Sequence, residues 1–396
     1  MTTNVPLSIL ELATVGVGQT GADALRATLD LAVAADRLGY RRLWFAEHHL
    51  APGVASASPA VLAALAAERT RRLKVGSGAV LLGTTSPLIA AEQFGTIAAL
   101  HPGRVDLGLG RAFTPPPEGF VAPPRTEARD VDGLHVPGTP PIDFTDSALR
   151  ARLLAQKEVI GASRTGQDFR AELELVLGLL ADSYVDSAGH AYVSPPVAGA
   201  ALDLWVLASS GGESARVAGA LGLPLAANYH VSPSNVLGTV EAYRSAFRPG
   251  VLAEPYVVVS ADVLAAETTE RAQHLADPFA EWVLSIRRGV QGAIAYPEPG
   301  TTTPWEQRSA AEQDVLRDGV DSRIVGTPDE VASRLATLQR VTGADELLVT
   351  TETHDPRDRV RSFELLASAW GLHADVSDAA AADASADAHD LVPSGA

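Results

Sequence analysis

The sequence predicts an α/β protein: a (β/α)8 barrel in a single domain, with a long insertion after its fourth strand. Two observations carry this expectation. Eight short apolar runs are each followed by a helix-patterned stretch, which is the alternation of right-handed βαβ units around a parallel sheet. Polar residues also gather at the carboxyl ends of those runs and are scarce at the opposite ends, where a barrel keeps its bottom face. A doubly wound open sheet is the alternative, and it too binds ligands at the carboxyl ends. With 396 residues and 46% hydrophobic content, the chain can build one large barrel or two to three average domains.

Leu7–Ala13 reads as the first strand. A helix follows from about Asp23 to Leu38, with Leu25, Leu29, Ala32 and Val33 on one face and Gly39 as its stop. Arg42–Ala46 is the second strand, and Ser58-Pro59 opens the second helix with a good N-cap and a good first helical residue. Leu73–Leu82 and Arg104–Leu109 are the next strands, separated by a helix over Pro87–Leu100. The alternation then lapses. Between Phe113 and about Gly166 there is no clean periodicity, and eight prolines fall between Pro115 and Pro141. Residues 113–165 are therefore expected to form an excursion over the ligand face.

Alternation resumes with a helix at Phe169–Leu180 and strands at Asp203–Ala208, Leu223–Ala227 and Pro255–Asp262. Helices at about Gly212–Leu221 and Ser234–Phe247 lie between them. One long helix is expected over Thr268–Arg288, followed by a second lid candidate, Gln291–Trp305, rich in Pro, Gly and Thr. Thr327-Pro-Asp-Glu330 is a capping box with Pro at the first helical position. Glu346–Thr351 is the eighth strand, and Asp355-Pro356 opens a closing helix with Val360, Phe363, Ala367 and Trp370 on its buried face. The barrel is thus expected over 1–370, with 371–396 a disordered acidic Ala/Asp-rich tail.

Composition narrows the function. The net charge of −17 falls only to −12 when the five tail aspartates are set aside, and there is no Lys/Arg stripe, which argues against nucleic-acid binding. No apolar run approaches a membrane span and no signal-peptide layout opens the chain. The absence of cysteine excludes disulfides, thiol nucleophiles and Cys-ligated metals, and suits the cytoplasm. Small-molecule chemistry is favoured.

The strand ends form an inventory of candidate site residues. Leu43-Trp-Phe-Ala-Glu-His-His49 runs from strand-forming residues into a carboxylate and two imidazoles, either an active-site strand end or a surface charge cluster. By alternation His48 shares a side with Trp44 and Ala46, and His49 with Phe45 and Glu47, so the two cannot readily chelate one metal, and no metal site is expected. The turn Ser209-Ser210-Gly211-Gly212-Glu213-Ser214 joins a strand to a helix N-terminus, where freed amides favour a phosphate; a plain turn with a Ser cap would read similarly. Arg111 is either a phosphate clamp or an ion pair with Asp106 or Glu92. Gly108-Leu-Gly110 is no dinucleotide fingerprint, because Phe113 fills the third glycine position. Glu11, Tyr229 and His230 are candidate substrate contacts, the latter two equally readable as a core pair.

The segments Leu43–His49, Val75-Gly-Ser-Gly-Ala79, Leu100-His-Pro-Gly-Arg-Val-Asp-Leu-Gly-Leu-Gly-Arg111 and Ser209–Ser214 resemble, in order and spacing, the bacterial luciferase-like flavin-dependent monooxygenases. The resemblance runs over about 6–111 and 203–370. It implies a barrel that binds reduced FMN, or in a sister branch a deazaflavin, at its carboxyl face. It implies that His48 is the active-site histidine, that Gly78-Ala79 form a cis peptide against the flavin ring, and that Arg111 and the Ser210–Ser214 turn hold the phosphate. It further implies a homodimer and a separate NAD(P)H:flavin reductase that supplies the reduced cofactor for O2 chemistry on a hydrophobic small molecule. Gly110 stands where the luciferases have cysteine, so light emission and aldehyde specificity do not carry over, and Ser86 stands where many relatives have histidine, so the substrate contacts of that loop do not carry over either.

Overall fold

The computed structural model describes residues 5–111, 124–141, 147–161, 167–288 and 292–373. In chain order the strands and helices are β1 (Leu7–Glu11), α1 (Gly21–Leu38), β2 (Arg42–Phe45), α2 (Pro59–Arg69), β3 (Lys74–Ser77), β4 (Val80–Leu82), α3 (Pro87–Leu100) and β5 (Val105–Arg111). A hairpin of β6 (Arg129–Val131) and β7 (Leu134–Val136) follows, then α4 (Ser147–Ile160) and α5 (Phe169–Leu180). The second half comprises β8 (Leu202–Ala208), α6 (Glu213–Ala220), β9 (Leu225–Asn228), α7 (Val236–Ala246), β10 (Val257–Ala265), α8 (Thr269–Ala276) and α9 (Phe279–Arg288). It ends with α10 (Ala310–Ser322), β11 (Ile324–Gly326), α11 (Pro328–Thr342), β12 (Glu346–Thr350) and α12 (Pro356–Trp370).

The sheet closes. Parallel pairing runs from β1 to β2, β3, β5, β8, β9, β10 and β12, and β12 returns to β1. That closure rules out the open-sheet alternative and makes the architecture a (β/α)8 barrel. All eight expected strands lie in it. Leu73–Leu82 is divided, however, into β3 and β4 around Gly78–Ala79, whose peptide is cis. Even-numbered residues of β1 and β2 point inward: Leu10, Trp44 and Ala46 pack with Trp205, Ala226, Val258 and Leu348 inside the barrel. Odd-numbered Leu7, Ile9, Leu43 and Phe45 face the helix layer.

The barrel floor is filled by charge. Arg42 bonds Asp106 at 2.8 Å and Glu346 at 2.7 and 3.1 Å, with its guanidinium 4.6 Å from the Trp205 ring centroid. Trp44 and Trp205 each donate their indole N–H to Asp106, and Ser8 and Tyr256 donate to Glu346. Gly76 is small because β3 and β5 meet closely there: a Cβ would lie 2.3 Å from the Asp106 carbonyl oxygen.

One expectation is corrected, and two stretches hold elements the sequence reading did not assign. The single helix over Thr268–Arg288 is two, α8 and α9, because Pro278 lacks the N–H that would bridge them. The 113–165 excursion contains the β6–β7 hairpin, turned at Asp132-Gly133 with both φ positive, and helix α4. The 291–305 stretch is followed by a further helix, α10, whose Ser309/Glu312 capping box is complete. Within that stretch Tyr296 bonds Val15 and Val17, and Gly53 donates to Ala293. Residues 112–123 and the tail from 374 on lie outside the described residues. Among the described residues no helix is long and apolar enough to cross a membrane.

Candidate active site

β2 delivers His48 to the inside of the barrel mouth, continuing the inward parity of Trp44 and Ala46. Its amide donates to the Ser56 carbonyl at 2.9 Å, and Ser56 Oγ in turn bonds the Ala46 carbonyl at 2.5 Å. The loop after β2 is therefore pinned on both sides of the imidazole. His48 is exposed on the rim of the mouth. Desolvation, with repulsion from His49 behind it, pushes its pKa down to about 4. At neutral pH the ring is uncharged and offers one N–H and one lone pair.

His230 joins it. Following β9, this residue bonds Ser260 Oγ through Nδ1 at 2.6 Å, and its pKa is also pushed down to about 4, first by burial and then by His48. Two neutral imidazoles thus share the mouth. His49 turns the other way, with Nε2 2.9 Å from Glu47 Oε1.

The second part of the rim is the Gly78–Ala79 turn. A Cβ on Gly78 would come within 2.8 Å of Leu10 Cδ1 and 3.1 Å of Trp44 Cβ, so the backbone lies flat on the inner layer. Gly110, on the adjoining strand, leaves room against Ala79, whose Cβ a side chain there would meet at 3.1 Å.

Arg111 and the turn before α6 form the third part. Arg111 pairs with Glu213 at 2.5 Å, replacing the expected Asp106 or Glu92. Asp106 is committed to the floor, and Glu92 accepts from Ser194. Gly212 is the N-cap of α6 and supplies no side-chain cap, so the first-turn amides are free of one. Ser209, Ser210 and Glu213 are exposed, and Gly211, Gly212 and Ser214 half-buried, beside them.

Two sequence candidates are turned away from the mouth. Glu11 is buried in an ion pair with Arg359 (2.9 Å) and accepts from Thr28 and the Ala13 amide, because its odd-numbered position faces α1 and α12. Tyr229 packs in the outer core and donates to the His135 carbonyl at 2.6 Å. Neither geometry suits substrate contact. His230 alone of the three candidates faces the mouth.

Sequence reasoning missed a buried cluster beneath the rim. Asp262 pairs with Arg323 at 2.6 Å, and Arg323 also donates to the Glu352 carbonyl at 3.0 Å. The Glu352 carboxyl bonds the hydroxyls of Thr14 and Thr350, and both arginines in reach, Arg323 and Arg359, are paired elsewhere. Burial, and then Glu11, push its pKa up to about 7. These residues come from five separate segments, and no local motif signals them.

The fold and rim define a (β/α)8 barrel that carries two imidazoles and, beside Arg111, a helix N-terminus without a side-chain cap at its carboxyl face. The family description "Luciferase-like monooxygenase" matches residues 6–134 and 156–346, and the chain belongs to that family. It is 38% identical to protein YvbT of Bacillus subtilis (strain 168), over 92% of this chain and 96% of that one. It is 32% identical to a "Luciferase-like monooxygenase" of Escherichia coli (strain K12), over 91% and 96%. Among solved structures it is similar to apo-MsnO8 (31% identity, TM-score 0.71, 94% and 99% covered). It shares the fold of the oxygenating constituent of 3,6-diketocamphane monooxygenase from Pseudomonas putida, solved with FMN (19%, TM-score 0.62, 92% and 97%). The same holds for an F420-dependent secondary alcohol dehydrogenase (12%, TM-score 0.56, 93% and 99%).

Proposed function

We propose that this chain is the oxygenating component of a two-component FMN-dependent monooxygenase that acts on a hydrophobic small organic molecule. The observation that supports it most is convergence. An inward neutral imidazole, a side-chain-free platform and an arginine beside an uncapped helix N-terminus meet on one barrel rim.

The residues fit the cofactor. Arg111 engages Glu213 through Nη1 and keeps other N–H donors for a phosphate, which the α6 amides and the hydroxyls of Ser210 and Ser214 would complete. Gly78 and Gly110 keep larger side chains away from Ala79, as a ring system lying against that turn would require. Bound reduced FMN would supply the two electrons that let O2 place one oxygen atom on the substrate and release the other as water. His48, neutral and fixed through its backbone, would hold a hydrogen bond at the reacting edge, with His230 opposite for the substrate. The 292–297 segment, bonded to Val15, Val17 and Gly53, would help keep water out.

A separate NAD(P)H:flavin reductase would supply the reduced cofactor, and a cytoplasmic location suits a chain without cysteine. A homodimer is part of the same reading. Val61 and Leu65 on α2 and Leu88, Ile89 and Leu100 on α3 are exposed on neighbouring helices, an apolar patch that a second copy would cover.

Titrating the protein with FMN and with a deazaflavin tests the reading, alongside oxygen uptake with reduced FMN. Saturation by FMN at low concentration with oxygen uptake supports it. Saturation by the deazaflavin alone would replace it with hydride transfer on the same barrel. Binding without oxygen uptake across a broad substrate panel would point to a non-catalytic flavin-binding subunit.

A further inference from the structure

Glu47 stands next to His48 but faces away from the mouth, and its contacts reach further than a strand-end carboxylate requires. Its side chain is nearly buried, at 7% exposure. Oε2 accepts from the Leu81 amide at 3.1 Å, and Oε1 accepts from Thr84 Oγ1 at 2.9 Å and meets His49 Nε2 at 2.9 Å. The first two donors belong to the segment that follows the Gly78–Ala79 peptide. The third belongs to the residue on the far side of His48. His49 has a further contact: its carbonyl accepts from Gln156 Nε2 at 2.8 Å, and Gln156 lies on α4, the helix of the insertion.

Two pieces of the rim therefore meet at one carboxylate, and a third reaches it only through the His49 carbonyl. They are the end of β2 with His48, the platform turn 78–84, and α4. One link, Glu47 to His49, is local and side chain to side chain; the others span 34, 37 and 107 positions in sequence. Hydrogen bonds to a carboxylate are the stronger kind, so the links to Leu81, Thr84 and His49 are the costly ones to break, and the Gln156 link to a neutral carbonyl is the weaker.

We propose that Glu47 is a positioning residue that couples the insertion helix α4 to the platform turn, so that seating α4 on His49 and fixing Gly78–Ala79 beside His48 occur together. Glu47 touches none of the reacting groups in this scheme. It acts through His49 and Leu81. The function follows from what must be simultaneous: a rim that orders its platform only when its cover is seated holds the cofactor face and the water-excluding face in the same state. This inference rests on the flavin reading for its ligand arm alone.

Hydrogen exchange on the full-length protein tests it without turnover. In the apo protein, Glu47→Ala should speed exchange of the Leu81 amide about tenfold or more, and should speed exchange across residues 150–160 as well. Coupling is reciprocal, so Gln156→Ala must speed exchange at Leu81 and not only within α4. Glu47→Gln keeps an oxygen for Leu81 and should show the same pattern more weakly; it also serves if the alanine variant does not fold. With saturating oxidised FMN, the wild type should slow exchange in both segments and Glu47→Ala in 78–84 alone. Local effects only, with α4 in the Glu47 variants exchanging as in the wild type, would overturn the proposal. If the wild type binds no FMN by fluorescence anisotropy, the flavin reading fails, while the apo arm still decides the coupling.

Discussion

The two ends of this barrel use similar residues for opposite purposes. At the floor, Arg42 is matched to Asp106 and Glu346, and two indoles, a serine and a phenol supply the remaining donors. At the mouth, His48 and His230 remain uncharged, Arg111 shares an exposed pair with Glu213, and Glu352 has hydroxyl partners but no cation of its own. Burial is comparable at the floor and around Glu352. The difference lies in whether charges are spent on one another. A floor so paired can only hold the barrel together, whereas a mouth with neutral or half-used groups can bind and exchange protons.

Breaking the floor should cost most. Arg42→Met leaves Asp106 and Glu346 buried without their cation and should lower stability by about 3–5 kcal/mol in urea unfolding. FMN affinity of the folded protein should fall only about twofold, since the floor reaches the platform through Trp44, which bonds Asp106 and lies under Gly78 but stays in place in the variant. A large loss of affinity would dissolve the distinction between the ends.

The next effect is pH-dependent. The folded protein holds the Glu352 proton up to about pH 7, whereas an unfolded carboxyl releases it near 4.5. Stabilisation from this group is therefore complete below the unfolded value and is lost as pH rises through 7, by up to about 3 kcal/mol. Unfolding at pH 5 and pH 8 should show this loss in the wild type, and Glu352→Gln should flatten it. An unchanged slope in the variant would assign the pH dependence to another group.

Arg111→Ala should weaken FMN binding by about ten- to a hundredfold, the contribution of charge-assisted hydrogen bonds to a phosphate. Removing its carboxylate partner with Glu213→Gln should leave affinity unchanged or improve it severalfold at low salt, measured by flavin fluorescence. His48→Ala should change FMN affinity least. Its effect should appear in the fate of oxygen, as a larger share released as hydrogen peroxide with less product. Unchanged product yield would remove His48 from the reaction.

Much of this molecule is local enough to read from the chain. Strand ends at Ala46, Leu109 and Ala208 were legible because apolar runs stop at Glu, Gly or Ser. That His48 shares a side with Trp44 followed from a period of two, while which side faces inward was decided by barrel closure. Helix α11 announced itself through Thr327 and Glu330, a capping box closed over three residues. The same device at Ser309 and Glu312 passed unnoticed, because the Pro-, Gly- and Thr-rich stretch before it reads as loop. Pro278 was a readable break within the long helical pattern.

Sequence by itself determined the staves, their order and the alternation of sides along them, since these depend on neighbours two to four residues away. Tertiary structure alone decided the partners. That Glu11 meets Arg359, that Arg111 meets Glu213, and that Glu352 is left without a cation depend on which segments closure brings together. A buried charge takes its state from whatever lies within a few ångströms, and in a barrel those neighbours come from distant parts of the chain.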